Sequence, residues 1–84
     1  MDHMEIREKA AQLIEKRGWC QHRYFGDNGE LCIVGALDSV GAPENVCTQI
    51  MNELNCGISS WNDRAGRTVD EVLAALRGTL RAAV

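Results

Sequence analysis

Proline is almost missing from this sequence, with one residue in 84, and aromatic residues make up only 5% of it. A chain so poor in proline has no room for a polyproline linker, and no repeat or low-complexity segment interrupts it. Long apolar runs are lacking too. The longest, Leu31 to Leu37, falls far short of the roughly 20 residues that a membrane-spanning helix needs. The opening Met1-Asp2-His3-Met4-Glu5 has no apolar stretch of the secretory type, so no export signal is expected. A basic field is absent as well: net charge is −3 and the isoelectric point is near 5.2. Nucleic-acid affinity rests mainly on phosphate neutralisation by Lys and Arg, so a nucleic-acid partner is not expected. The four cysteines, at 20, 32, 47 and 56, lack the close, regular spacing of a disulfide scaffold and read as reduced cytoplasmic thiols.

What is present is an ordinary globular composition, 45% apolar and 25% charged. Residues 1–84 are long enough for a single domain and too short for two. Met4 reads as the natural start, with residues 1–4 outside the folded part.

Helical periodicity organises most of the chain. Ile6, Ala10, Leu13 and Ile14 mark a helix from about Glu5 to Arg17, with Gly18 where a C-cap belongs. Asp27-Asn28-Gly29 supplies a turn that tolerates positive φ, which predicts a short β-hairpin with Trp19 to Phe25 as one arm. Leu31 to Val40 fits either a strand or a helix, and Gly41 after it favours the helix. Pro43 suits the first position of a further helix, with Val46, Cys47, Ile50, Met51 and Leu54 as its apolar stripe and Gly57 as its stop. Thr68 and Glu71 have the spacing of a capping box. They open a last helix whose stripe is Val69, Val72, Leu73, Leu76 and Leu80, with Gly78 on its far face. The expected architecture is mainly α: a small bundle of about four helices with a hairpin insert.

Both tryptophans sit in polar segments, Gly18-Trp19-Cys20-Gln21 and Ser60-Trp61-Asn62-Asp63-Arg64-Ala65-Gly66-Arg67-Thr68, which flank Cys32-Ile33-Val34-Gly35-Ala36-Leu37. Together these three motifs resemble a family of small proteins of unknown function, the DUF6197 domain, found in actinobacteria and their phages. The resemblance runs from about Leu13 to Leu76. It implies the fold and no reaction. Members often carry Thr in place of Cys20 and a small residue in place of His22, which weakens any site built on those two.

Several chemistries can be drawn from the residues. Cys20, His22 and Cys32, with Cys47 or Cys56, contain two of the side-chain types of a zinc site but not its usual knuckle spacing, so no metal is expected. No cofactor is expected either. Cys32 at the start of a helix would gain thiolate character, with His22 as base and Asp63 as orienter. Cys-Ile-Val-Gly-Ala-Leu reads more readily as packing, however, with Gly35-Ala36 at a close helix contact. Paired carboxylates at Asp63, Asp70 and Glu71 are accounted for by capping and helix dipoles.

Trp61, Asn62 and Asp63 read first as scaffold, with Ser59 or Ser60 capping a turn, Trp61 plugging the bundle and Arg67 pairing with Asp63. The competing use is recognition, because Trp and Arg dominate binding hot spots. On that reading Trp19, Gln21, Trp61, Asn62, Asp63, Arg64 and Arg67 form the binding site. The functional expectation is a non-catalytic module that binds a protein. A small enzyme or ligand pocket at Cys32, Trp61, Asn62 and Asp63 is the alternative, and a nucleic-acid accessory using Arg64 and Arg67 the weaker one. Ile33, Val34 and Met51 lack an obvious partner within the chain, so a homodimer is a further expectation.

Overall fold

A computed structural model describes residues 2–80. Five helices follow one another: α1 His3–Arg17, α2 Ile33–Ser39, α3 Glu44–Leu54, α4 Ile58–Asn62 and α5 Val69–Arg77. The class is mainly helical, as expected, but with one helix more. The extra one is the short α4, which carries Trp61 and Asn62. Its five residues are too few for periodicity to register, and its N-cap is Gly57, so neither Ser59 nor Ser60 caps it.

The expected hairpin does not form. The Asp27-Asn28 turn is there, closed by the Gly29 N–H donating to the Gly26 carbonyl at 3.2 Å, yet its flanks never become strands. Leu31 instead lies between two single-residue bridges, parallel to Trp19 on one side and antiparallel to Phe25 on the other. The chain bends through Gln21 to Tyr24, with His22 at φ 68. That left-handed residue turns the would-be arm back on itself, so pairing cannot propagate.

α1 is capped by Asp2, whose side chain accepts the Met4 N–H, and closes at Gly18. Ile6, Ala10, Ala11 and Ile14 are its buried residues along with Arg7, and the helix packs against α2 and α5. Ile33 and Leu37 of α2, Val46 and Ile50 of α3, Ile58 and Trp61 of α4, and Val72 and Leu76 of α5 join them in the core. Ile33 is therefore fully buried within the chain, whereas Val34 is half-buried and Met51 exposed. α3 ends at Leu54 with Asn55 in the left-handed conformation, ahead of the expected stop; Gly57 serves as the N-cap of α4 instead.

The capping box of α5 forms in full, the Thr68 hydroxyl accepting the Glu71 N–H and the Glu71 carboxylate accepting the Thr68 N–H. The far end of this helix differs from expectation. Gly78 is its left-handed C-cap, so Leu80 lies beyond the helix and is exposed, and Val69 in the first turn is exposed too.

Arg7 is a charged residue at the centre of the packing, fully buried among α1, α3 and α5. Its guanidinium reaches the Glu53 carboxylate through both terminal nitrogens at 2.7 and 2.8 Å. Two further N–H groups donate to the carbonyls of Ala75 and Leu76 at 2.8 and 2.7 Å. Those carbonyls belong to the end of α5, where a helix runs short of backbone donors: Ala75 also accepts the Gly78 N–H at 3.3 Å, while Leu76 is met by Arg7. Arg7 is thus a cap contributed from another helix. None of the helices among the described residues is long and apolar enough to cross a membrane.

Candidate functional site

The two tryptophan segments meet at one side chain. Asn62, the last residue of α4, is fully buried. Its Oδ1 accepts the Trp19 indole N–H at 2.8 Å and the Ile33 backbone N–H at 3.1 Å. Its Nδ2 donates to the Cys20 carbonyl at 3.2 Å and to Asp63 Oδ1 at 2.9 Å. All four hydrogen-bonding positions of the amide are used, and they join α4 to the first turn of α2 and to the segment after α1.

The neighbours extend this knot. The Gln21 side-chain amide donates to the carbonyls of Asn62 and Arg64, each at 3.0 Å. Asp63 Oδ1 accepts the His22 backbone N–H at 2.8 Å, which holds the left-handed turn in place. That bond, followed by the one from Asn62, keeps the Asp63 carboxyl below its ordinary range. Arg67 does not pair with Asp63. It lies over the Trp61 ring, 3.7 Å from the centroid, donates to the Trp61 carbonyl and joins Glu71 at 3.0 Å. Trp61 itself is buried, with 8% of its surface exposed. Of the seven residues expected to bind, Trp19, Gln21, Trp61, Asn62, Asp63 and Arg67 are thus bonded to one another or to nearby backbone, while Arg64 carries the exposed side chain.

The three residues expected to carry catalysis do come together. His22, Cys32 and Asp63 line one cleft of about 310 Å³ with Arg23, Tyr24 and Ser59. Their groups are largely committed. Cys32 is the N-cap of α2, its Sγ accepting the Gly35 N–H at 3.3 Å, and it is 4% exposed. The His22 ring stands mostly in solvent, with Nδ1 4.0 Å from Asp63 Oδ2. Burial pushes the nearby Cys20 thiol up, against nucleophilic use. Among the described residues, no three of His, Cys, Asp and Glu are grouped so as to hold a metal ion.

Beside this cleft, the structure brings out residues that carried no signal in the sequence. Tyr24 and Phe25 are more than half exposed, side by side. Their backbone is pinned: the Tyr24 carbonyl accepts the Cys32 N–H at 3.2 Å, and Phe25 bridges Leu31. Gly35 makes this possible, because a Cβ there would stand 2.3 Å from the Tyr24 carbonyl oxygen. With Val34, Gly35 and Asp38 the two aromatics enclose a cleft of about 290 Å³. A second, apolar cleft of about 320 Å³ shares Val34 and Asp38 and runs on over Leu37, Ala42, Cys47, Met51 and Ile58. The exposed side of α2 therefore forms one continuous furrowed face. The only indication of it in the sequence was the run Ile33-Val34, apolar on consecutive positions, which a single buried stripe cannot absorb.

No curated protein and no solved structure is significantly similar to this chain. One family model matches, over residues 2–82, and it is described as a family of unknown function (DUF6197). The match takes in the capped α1, the α2 face and the whole Asn62 knot, and on that extent the chain belongs to the DUF6197 family.

Proposed function

We propose that this chain is a non-catalytic protein-binding module of the cytoplasm, and that its partner docks on the exposed side of α2. The observation that carries this reading is the pair Tyr24 and Phe25, 59% and 51% exposed. Both stand on a pinned backbone beside two clefts that share Val34 and Asp38. Large aromatics held rigidly in water lose little entropy on binding, and such side chains are typical anchors of interfaces. Trp19, Gln21, Trp61, Asn62, Asp63 and Arg67 act from behind by holding this face in shape. Arg64 is the member of that group able to touch a partner directly.

The test is capture of a partner by the parent protein beside Phe25→Ser and Val34→Asp variants of unchanged melting temperature. A single partner retained by the parent and lost by both variants supports the reading. Equal capture by all three contradicts it. Self-association abolished by the same substitutions would identify a second copy of the chain as the occupant.

A second reading rests on the cleft of His22, Cys32 and Asp63, as the pocket of a small ligand or an enzyme. It requires a reactive Cys32. The N-cap bond and burial of that thiol argue for slow alkylation by iodoacetamide at neutral pH. Rapid labelling of Cys32 in the folded protein would favour the pocket over the module.

A further inference from the structure

From Tyr24 to Asp63 the sequence holds no Lys, Arg or His, while Asp27, Glu30, Asp38, Glu44, Glu53 and Asp63 are all acidic. The helices α2, α3 and α4 lie wholly inside this stretch. Four of the six carboxylates have work within the fold. Asp27 pairs with Arg23, Glu53 with Arg7, Glu30 accepts the Asn28 N–H, and Asp63 holds His22 and Asn62.

Asp38 differs. It is exposed and, among the described residues, its carboxylate makes no ion pair or side-chain hydrogen bond. It sits next to last in α2, where the helix dipole opposes a negative charge. Among the described residues, no donor of the fold meets a carboxylate there. Yet Asp38 is the polar wall shared by the two clefts, with Tyr24, Phe25 and Val34 on one side and Leu37, Cys47 and Met51 on the other. Glu44, also without a side-chain partner among the described residues, opens α3 beyond Ala42.

We infer that the docking face selects a cationic amphipathic segment of its partner protein, with bulky apolar side chains filling the two clefts and a Lys or Arg between them meeting Asp38. The inference rests on the docking reading above and adds the chemistry of the partner. A single carboxylate flanked by apolar walls is partly shielded from water once the clefts fill. It therefore attracts a cation more strongly than an open surface charge does, and it penalises an anion. No base on α2, α3 or α4 themselves opposes that sign, and Arg23, in the adjoining cleft, is paired with Asp27. This favours encounter with a basic segment at low ionic strength.

The probe is a synthetic amphipathic helix of leucines and lysines, set beside an analogue with glutamate at every lysine. Each is titrated into isotope-labelled protein and followed by amide NMR shifts. The lysine peptide should shift the signals of residues 24–25, α2 and Met51, with affinity that falls as salt rises. Asp38→Lys should weaken it by about tenfold or more and let the glutamate peptide bind. Asp38→Asn should fall between the two. Asp70→Lys, the same charge change on α5, should leave the lysine peptide within about twofold of the parent. Asp38→Lys should melt no lower than the parent, because the helix-dipole penalty is relieved.

Equal affinity of the lysine peptide for parent and Asp38→Lys overturns the inference. So does an equal loss in Asp70→Lys, which would mean a general field and no site. If both peptides bind the α2 face whatever stands at position 38, the docking reading survives and the cationic partner does not. If neither peptide perturbs that face, and Phe25→Ser changes no capture, both fall together.

Discussion

Two buried polar residues hold this small protein together, and they do so by different means. Asn62 spends its amide on four partners that all lie within the knot, so none of its polar atoms depends on solvent. Arg7 links three helices, and its value lies as much in the carbonyls of Ala75 and Leu76 as in the Glu53 carboxylate. A buried ion pair can often be exchanged for apolar packing at little cost. Here the exchange would also leave the Leu76 carbonyl without a donor, at a cost of roughly 1 kcal/mol or more, and the Ala75 carbonyl with only the Gly78 N–H at 3.3 Å. Arg7→Met should accordingly lose about 1–3 kcal/mol by denaturant unfolding, and a loss below about 0.5 kcal/mol would show that water replaces the guanidinium freely. The burial of Arg7 was not read from the sequence, although its place was open to inspection. Position 7 shares a helical face with Ala11 and Ile14, so an arginine there either leaves the core or finds every partner inside it.

At the scale of elements, what was legible followed how far each element depends on its own residues. The capping box of α5 and the stripe of α1 are local. The box formed in full, and the stripe formed at Ile6, Ala10 and Ile14 while turning towards Arg7 and Ala11 and leaving Leu13 half-buried. Tertiary contacts decided the rest. The turn at Asp27-Asn28 formed, but the hairpin did not, because Leu31 is shared between Trp19 and Phe25 and His22 turns the chain between them. Helix α4 is fixed by what Asn62 binds elsewhere, which periodicity over five residues cannot register. The Trp61-Asn62-Asp63 motif was legible as a special place, while its role as a scaffold depends on Cys20, Gln21 and Ile33, far away in sequence. The close approach of α2 to the Tyr24 backbone gives the sharpest test at this scale. Gly35→Ala puts a methyl against a carbonyl that cannot swing aside, so the loop must move. It should cost about 1–3 kcal/mol in stability. The amide signals of Tyr24 and Phe25 should shift more than those of α5. Unchanged signals at those two residues would contradict the contact.

The molecule as a whole answers to pH through its carboxylates. Asp63 is held below its ordinary value of 3.8 by the His22 N–H, and Glu53 below 4.5 by its hydrogen bond to Arg7. A carboxyl with a lowered pKa in the fold stabilises fully above its unfolded value and loses that contribution as pH falls through the folded one. The melting temperature should therefore be flat with respect to these groups from neutrality to about pH 5, then fall below about pH 4.5. Asp63→Asn should make the acid slope shallower, and an unchanged slope would mean that the His22 bond contributes no linkage. If the proposed function holds, stability and recognition belong to different parts of the fold, the first to the knot around Asn62 and the second to the outer face of α2. Thermal unfolding of Asn62→Ala beside Phe25→Ser tests that division most directly. The first leaves the Trp19 indole, the Ile33 N–H and the Cys20 carbonyl without their partner, which predicts a loss of about 3 kcal/mol and a melting temperature lower by roughly 12–24 °C. The second removes an exposed ring and should melt within about 2 °C of the parent. If Asn62→Ala melts with the parent, the knot is not what holds the fold, and the motif around Trp61 returns as a surface for binding.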